Sequence, residues 1–267
     1  MFRSIRQWFQ KSPKADRGFS IICVYNNRKK LNDYLIQSLS QQTVPFELLA
    51  VDNTGGNLKS AARILNKTAR EAKYEYLMFV HQDVAFDSSA WLDNVERDLG
   101  SLYRLGAAGV AGKSKKGMAA SVRHGNPPCF VGPERLHRPV RVQTLDGCLM
   151  IVPRKIFDRI PFDETTVEGW YLYVVDYCLD LTHLGYRIYV LPHQIYHEST
   201  GPHYSIVYLK TLNNIINKHR DHIEVIYSTV GKWKTQQSLR KVFFKALIQI
   251  LYRNFNDKIK STRKLEF

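Results

Sequence analysis

The sequence predicts an α/β fold with a Rossmann-like, mainly parallel central sheet that is flanked by helices. Three observations support this class. Short apolar runs rich in β-branched residues end abruptly in polar residues, segments with helical spacing of apolar residues separate these runs, and the alternation continues without an internal repeat. Strands that are buried on both faces of a parallel sheet have such continuous apolar runs. With 267 residues, 44% of them apolar, the chain is long enough for a large core.

The first half of the chain is predicted to form a βαβαβ unit. We expect its three strands in FSIICVYNN, FELLAVDNTGG and YLMFV, within residues 19–27, 46–56 and 76–80. The segment after the first strand has Leu31, Leu35 and Leu39 on one helical face, and residues 57–72 form a second amphipathic helix. Right-handed crossovers bring the carboxyl ends of parallel strands to one edge of the sheet, where ligands bind in such folds.

The second half of the chain is less regular. Residues 106–139 are rich in glycine and basic residues, which favours a surface loop, and they contain no phosphate-binding P-loop pattern. Regular structure is predicted again where Asp146 and Gly147 precede an apolar strand. A helix follows over residues 170–184 and ends at Gly185, and a further strand leads to His197.

The basic residues are concentrated at the two ends of the chain. The formal net charge is +15, and it predicts an anionic partner. In the C-terminal tail, lysines and arginines lie off an apolar stripe at helical spacing, formed by Leu239, Val242, Phe243, Ala246, Leu247, Ile250 and Leu251. Two interpretations remain open: a basic amphipathic helix on an anionic membrane surface, or a helix that packs its apolar face on the core.

The sequence favours a cytoplasmic protein, with the inner face of the membrane open to the basic tail. The four cysteines form no C-x-x-C pair, which argues against a zinc ribbon and a disulfide framework. No stretch reaches the roughly 20 apolar residues of a membrane span, and the first residues lack the apolar core of a signal peptide.

Polar residues follow the predicted strands of the first half. Asn26, Asp52 and Asp83 each lie at or beyond the end of an apolar run. An acid at the end of a buried strand is costly unless it binds something, so we expect a ligand site here. Each of the two aspartates also fits a helix cap or a turn, and for Asp52, which precedes Asn-Thr-Gly-Gly, the turn is a strong rival.

Together these blocks resemble the family 2 type glycosyltransferases of the GT-A fold, over residues from about 19 to about 201. The matching blocks, in order, are SIICVYNN, LLAVDNTGG, HQD in place of D-x-D, VVDYCLDLTHLGY and IYHESTG. The resemblance implies a nucleoside diphosphate sugar of UDP or dTDP type as donor, bound by Val24, Tyr25, Asn26, Asp52, Gln82 and Asp83. It also implies a Mn²⁺ or Mg²⁺ site at Asp83, His197 and His81.

The resemblance further implies an inverting displacement at the anomeric carbon, which requires a base. The acid that serves as base in the family aligns with Val174, and valine cannot accept a proton. Three acids nearby are candidate bases: Asp176 first, Glu168 second, and Asp146.

We therefore expect a basic N-terminal segment over residues 1–17, a GT-A domain over 18–204 and a helical, basic C-terminal extension over 205–267. The domain would divide into a nucleotide-binding half of about 18–105 and an acceptor half of about 140–204. The predicted function is hexosyl or deoxyhexosyl transfer to a cell-surface polysaccharide or lipid-linked glycan, and a homo-oligomer remains open. Two alternatives are a catalytically idle sugar-nucleotide-binding protein, suggested by Val174, and a basic nucleic-acid-binding protein, for which no binding motif is present.

Overall fold

The computed structural model describes residues 16–125, 127–198 and 205–236, together with Phe244 and Ile248. Its centre is a seven-stranded sheet, formed by β1 (Asp16–Tyr25), β2 (Phe46–Asp52), β3 (Tyr74–Val80), β5 (Leu105–Gly109), β10 (Val140–Val142), β12 (Leu149–Pro153) and β13 (Arg187–Val190). The spatial order is β10-β13-β5-β12-β3-β1-β2. Only β12 and β10 run against the other five strands, so the prediction of a mainly parallel sheet is confirmed.

Helices cover both faces of this sheet. They are α1 (Arg28–Lys30), which continues through a π-helical turn (Leu31–Ile36) into α2 (Gln37–Leu39), then α3 (Ala61–Ala69), α4 (Trp91–Ser101), α5 (Arg154–Phe157), α6 (Tyr173–His183) and α7 (Ile206–His219). Helix α3 is shorter than predicted because the Ser60 side chain caps its first turn, where it accepts a hydrogen bond from the Arg63 backbone N–H. One core cluster contains Leu35 and Leu92, a second contains Leu65 and Tyr177, and a third contains Leu179 and Leu212.

Two smaller sheets occupy much of the region predicted as loop. One contains β6 (Ala111–Ser114), β7 (Gly117–Ala120) and β11 (Thr144–Leu145), and the other contains β4 (Val84–Phe86), β8 (Val122–His124), β9 (Cys129–Val131) and β14 (Ile195–His197). The loop prediction for residues 106–139 was therefore wrong. Glycine is needed there for close packing: a Cβ atom at Gly112 would lie 2.5 Å from the Thr144 carbonyl oxygen.

A hairpin of β15 (Val225–Ser228) and β16 (Gly231–Lys234) follows α7 and packs beside β11. The Gln143 side chain bonds the Val225 carbonyl and the Tyr227 N–H, and the Thr144 hydroxyl donates to the Tyr227 carbonyl at 2.6 Å. The extension that we expected to be helical from residue 205 thus contains a β-hairpin.

The two terminal segments in which lysine and arginine are concentrated lie largely outside the described residues. This applies to the predicted N-terminal segment as far as residue 15, and to the amphipathic stripe of the tail. Phe244 and Ile248 are both helical and exposed. Among the described residues, no helix has both the length and the apolar character that crossing a membrane requires.

Candidate active site

The loops that follow β1 and β3 are joined by one side chain. The Gln82 carbonyl oxygen accepts hydrogen bonds from the backbone N–H groups of Asn26 and Asn27, at 3.0 and 2.8 Å. Its amide nitrogen donates to the Asn26 side chain at 2.6 Å. Gln82 therefore fixes the carboxyl ends of the two strands relative to each other.

A cavity of about 450 Å³ with both polar and apolar lining residues opens at this edge of the sheet, and we call it the polar cavity because Asn26, Gln82 and Asp83 line it. Its lining includes seven of the predicted site residues: Val24, Tyr25, Asn26, His81, Gln82, Asp83 and His197. Lys30 and Glu198 also line it and form an ion pair of 3.1 Å. The structure thus brings together the predicted nucleotide and metal residues, with one exception.

The exception is Asp52, which contributes no atom to the lining of this cavity. Its carboxylate accepts hydrogen bonds from the Thr54 backbone N–H and hydroxyl, and from the Tyr25 hydroxyl at 2.9 Å. These bonds, led by that of the Thr54 backbone, lower the pKa of Asp52. Asp52 therefore closes the turn after β2 and orients Tyr25, which does line the cavity.

His81, Asp83 and His197 form a compact group of candidate metal ligands. Their ligand atoms all lie within 4.8 Å of one another, and His197 Nε2 is 3.4 Å from Asp83 Oδ1. Desolvation raises the pKa of Asp83, but the hydrogen bond and charge of His197 outweigh it and leave the pKa lowered. Desolvation and the neighbouring His197 lower the pKa of His81, which favours the neutral imidazole that can ligate a metal. One carboxylate and two imidazoles suit Mn²⁺ better than Mg²⁺.

A second, largely apolar cavity of about 540 Å³ adjoins the first. The two cavities share His81, His197, Trp170 and Tyr173. Asp146 is the single carboxylate among the described residues that line the second cavity. Its Oδ1 atom accepts from the Cys148 backbone N–H at 3.0 Å, and its Oδ2 atom accepts from the Thr229 hydroxyl at 2.6 Å. Asp146 is therefore held in one orientation beside the candidate metal ligands.

The other two candidate bases lie outside both cavity linings. Asp176 is 1% exposed, and its carboxylate is bound by Lys218 Nζ and His219 Nε2, each at 2.8 Å. Glu168 forms an ion pair of 2.9 Å with Lys210. The structure thus places Asp176, the first choice from sequence, in a buried ion-pair network that no acceptor hydroxyl reaches.

Sequence reasoning missed the aromatic wall and the hydroxyl that binds Asp146. Trp170 and Tyr173 flank Leu172, whose backbone is left-handed with φ of 62°. That conformation costs about 1 kcal/mol or more in a non-glycine residue, and such strain is frequent at functional sites. The aromatic run WYLYVV after Gly169 could have indicated the aromatic wall. Thr229 lies outside the residues of the family resemblance, and nothing in the sequence around it indicated its role.

A family model described as "Glycosyltransferase like family" matches residues 20–199, which is 180 of the 267 residues. The chain belongs to this family of glycosyltransferases. The match contains the polar cavity and Asp146, whereas Thr229 and the β15–β16 hairpin lie beyond it. Family membership confirms the resemblance on which the site prediction rested.

Solved glycosyltransferases share the fold of this family member at low sequence identity. The mannosyltransferase PcManGT from Pyrobaculum calidifontis, in complex with GDP-Man and Mn²⁺, is 16% identical with a TM-score of 0.53, over 80% of this chain and 69% of that one. S. aureus TarS 1–349 with UDP-GlcNAc is 16% identical with a TM-score of 0.54, over 90% and 73%. GalNAc-T7 with UDP, GalNAc and Mn²⁺ is 11% identical with a TM-score of 0.52, over 74% and 47%. The GT-A fold is thereby confirmed.

A sequence relative comes from Fuscovulum blasticum. It is named "ATP synthase subunits region ORF 6" and is 25% identical over 217 residues, which cover 73% of this chain and 81% of the relative. Its name describes a position in a gene region and states no activity.

Proposed function

We propose that this chain transfers a hexosyl or deoxyhexosyl unit from a UDP or dTDP sugar to an acceptor hydroxyl on a cell-surface polysaccharide or lipid-linked glycan, with inversion at the anomeric carbon. The observation that carries the proposal is the meeting of two cavities at His81 and His197. The polar cavity has the residues expected for a donor, and the other cavity contains a fixed carboxylate. A transferase needs two substrate sites that meet at the reacting carbon.

The donor would occupy the polar cavity. Asn26, held by Gln82, and Tyr25, held by Asp52, would contact the nucleoside, and Lys30 would lie near the anionic phosphates. Asp83, His81 and His197 would hold a divalent cation, and their donor set favours Mn²⁺. When bound, such a cation acts as a Lewis acid on the diphosphate and stabilises its growing charge as it leaves. The neighbours solved with nucleotide sugars support a donor site in this fold.

The acceptor would enter from the apolar cavity, with Asp146 as its base. The acceptor oxygen forms a bond to the anomeric carbon, the bond from that carbon to the diphosphate oxygen breaks, and Asp146 takes the hydroxyl proton. The Asp146 carboxylate accepts hydrogen bonds from the Cys148 backbone N–H and the Thr229 hydroxyl, and it keeps acceptor capacity for the substrate. Of the three candidate bases named from the sequence, Asp146 alone lines the cavity that adjoins the donor site.

A second candidate, nucleotide-sugar binding without turnover, is favoured by one observation. Val174 is 2% exposed and lines the apolar cavity at the position where the family pattern has an acid. This candidate predicts donor binding that resembles that of an active enzyme, and no release of nucleoside diphosphate with any acceptor.

Isothermal titration of the protein with UDP, dTDP and GDP, with and without Mn²⁺, tests the donor site. We expect one nucleotide to bind more tightly with Mn²⁺, and Asp83→Asn to remove the metal effect. Asp93→Asn, the same change at a helix surface site paired with Arg97, is the control and should bind as wild type does. If folded wild-type protein binds no nucleotide, the proposal fails.

A further inference from the structure

The larger cavity is built mainly of apolar side chains, which is unusual for a site that receives a glycan. Its wall includes Met118, Val122, Val131, Leu145 and Val230, and Asp146 supplies the single carboxylate among its described lining residues. Sugars present hydroxyls on most faces, and an apolar wall leaves those hydroxyls without partners. At about 540 Å³ the cavity lies in the size range of small-molecule sites.

Exposed apolar residues lie at the start of α7, directly before Tyr208, which lines this cavity. Ile206 is 79% exposed and Val207 is 41% exposed, and a Cβ atom at Gly169 would lie 2.9 Å from Val207 Cγ1. Gly169 precedes Trp170, which lines both cavities and is itself partly exposed. Neighbouring exposed apolar side chains on a soluble surface mark a contact with an apolar partner.

We infer that the acceptor carries an alkyl chain, as a lipid-linked glycan does. The alkyl chain would lie along the apolar cavity, and the hydroxyl of the acceptor sugar would meet Asp146. The inference rests on the proposed function, because it assigns this cavity to the acceptor. Contact with Trp170 and Tyr173 would orient the sugar between the two cavities, since an aromatic face packs against the C–H face of a pyranose. The transfer step is the one already described, and the chain itself takes no part in bond breaking.

Binding of alkyl glucosides of increasing chain length, from methyl to octyl and below their micelle concentrations, tests the inference. Each methylene removed from water strengthens binding by up to about fourfold. We expect the affinity for wild-type protein, measured by ligand-observed NMR, to rise along the series. In Val131→Asp the gain in affinity per added methylene should be at most half that of wild type, because a carboxylate in the cavity wall disfavours an apolar ligand. Met118→Gln is a second variant with a milder change, for the case that the first does not fold.

Leu184→Asp is the matched control, since Leu184 is exposed at the C-terminal end of α6 and lines neither cavity. It should bind the series as wild type does. An affinity that is independent of chain length, or an equal increase in all variants, overturns the inference. Nucleotide titration of the same proteins separates the two failures: wild type that binds a nucleotide but shows no chain-length effect contradicts the alkyl acceptor alone, whereas wild type without nucleotide binding contradicts the proposed function.

Discussion

Replacement of Lys218 by methionine should destabilise the fold strongly, because this lysine forms ion pairs with three carboxylates. Its Nζ atom lies 3.0, 2.8 and 2.7 Å from Asp163, Asp176 and Asp180. Desolvation lowers the pKa of Lys218, but the charges and hydrogen bonds of the Asp176 and Asp180 carboxylates together outweigh this effect and leave the pKa raised. The ammonium group is therefore held in its charged form.

The size of the stability loss depends on how deeply Lys218 and its three carboxylate partners are buried. Removing one partner of a buried ion pair costs about 3–5 kcal/mol. Asp176 is almost completely buried, but the side chains of Lys218, Asp163 and Asp180 are about one-quarter exposed, so water screens part of the loss. We expect Lys218→Met to lower the free energy of unfolding by about 2–3 kcal/mol, which corresponds to roughly 5–10 °C in the melting temperature.

Urea denaturation followed by circular dichroism measures this loss, and the same helix supplies the control. Lys210 pairs with Glu168, and its side chain is 62% exposed, so Lys210→Met should cost at most about 1 kcal/mol. Equal losses in the two variants would refute the assignment of Lys218 as the centre of a buried network. They would also reopen a catalytic role for Asp176.

Three further predictions concern the base, its orientation and the acid stability of the fold. Asp146→Asn should lower the transfer rate at least about 100-fold without changing the donor Kd, whereas Glu168→Gln should leave the rate within a few-fold; equal rates for both variants would exclude Asp146 as the base. Thr229→Val should lower kcat and shift the pH profile of transfer, because it removes the hydroxyl that bonds Asp146, and Thr229→Ser should restore both; a serine variant as impaired as the valine variant would show that the methyl group matters instead. Desolvation raises the pKa of Asp163, but hydrogen bonds from two neighbouring threonines outweigh it and leave that pKa lowered. Ionised Asp163 therefore stabilises the folded state fully above pH about 4, and this contribution is lost as the pH falls further. Acid titration of Asp163→Asn should therefore show a smaller loss of stability below pH 4 than wild type, and superimposable curves would contradict this sign.

The parts of the site that lie at strand ends could be predicted because the signal is local. An apolar run that stops at His81, Gln82 and Asp83 fixes both the end of β3 and the polar groups beyond it. Parallel pairing then places Asn26 beside them, since the carboxyl ends of parallel strands share an edge. The polar cavity follows from these two facts.

The parts that depend on distant contacts could not be predicted in this way. The partner of Asp146, Thr229, is 83 residues away, and Lys218 is 42 residues from Asp176. Helical periodicity does not reveal that a buried acid such as Asp176 forms an ion pair with a lysine on another helix. The glycine-rich composition of residues 106–139 led to the wrong prediction of a loop. Gly112 lies in a strand, where it permits two backbones to approach closely.

In the proposed function, His81, Asp83 and His197 would hold a divalent cation at the diphosphate of the donor. Phosphorus NMR of the bound nucleotide with substoichiometric Mn²⁺ tests it, because a paramagnetic ion within a few ångströms broadens the phosphate signals. We predict selective broadening of the diphosphate signals in wild-type protein, and its loss in Asp83→Asn under conditions where the nucleotide remains bound. Equal broadening in both proteins, or none in wild type with nucleotide bound, would show that these three residues do not hold the cation at the diphosphate.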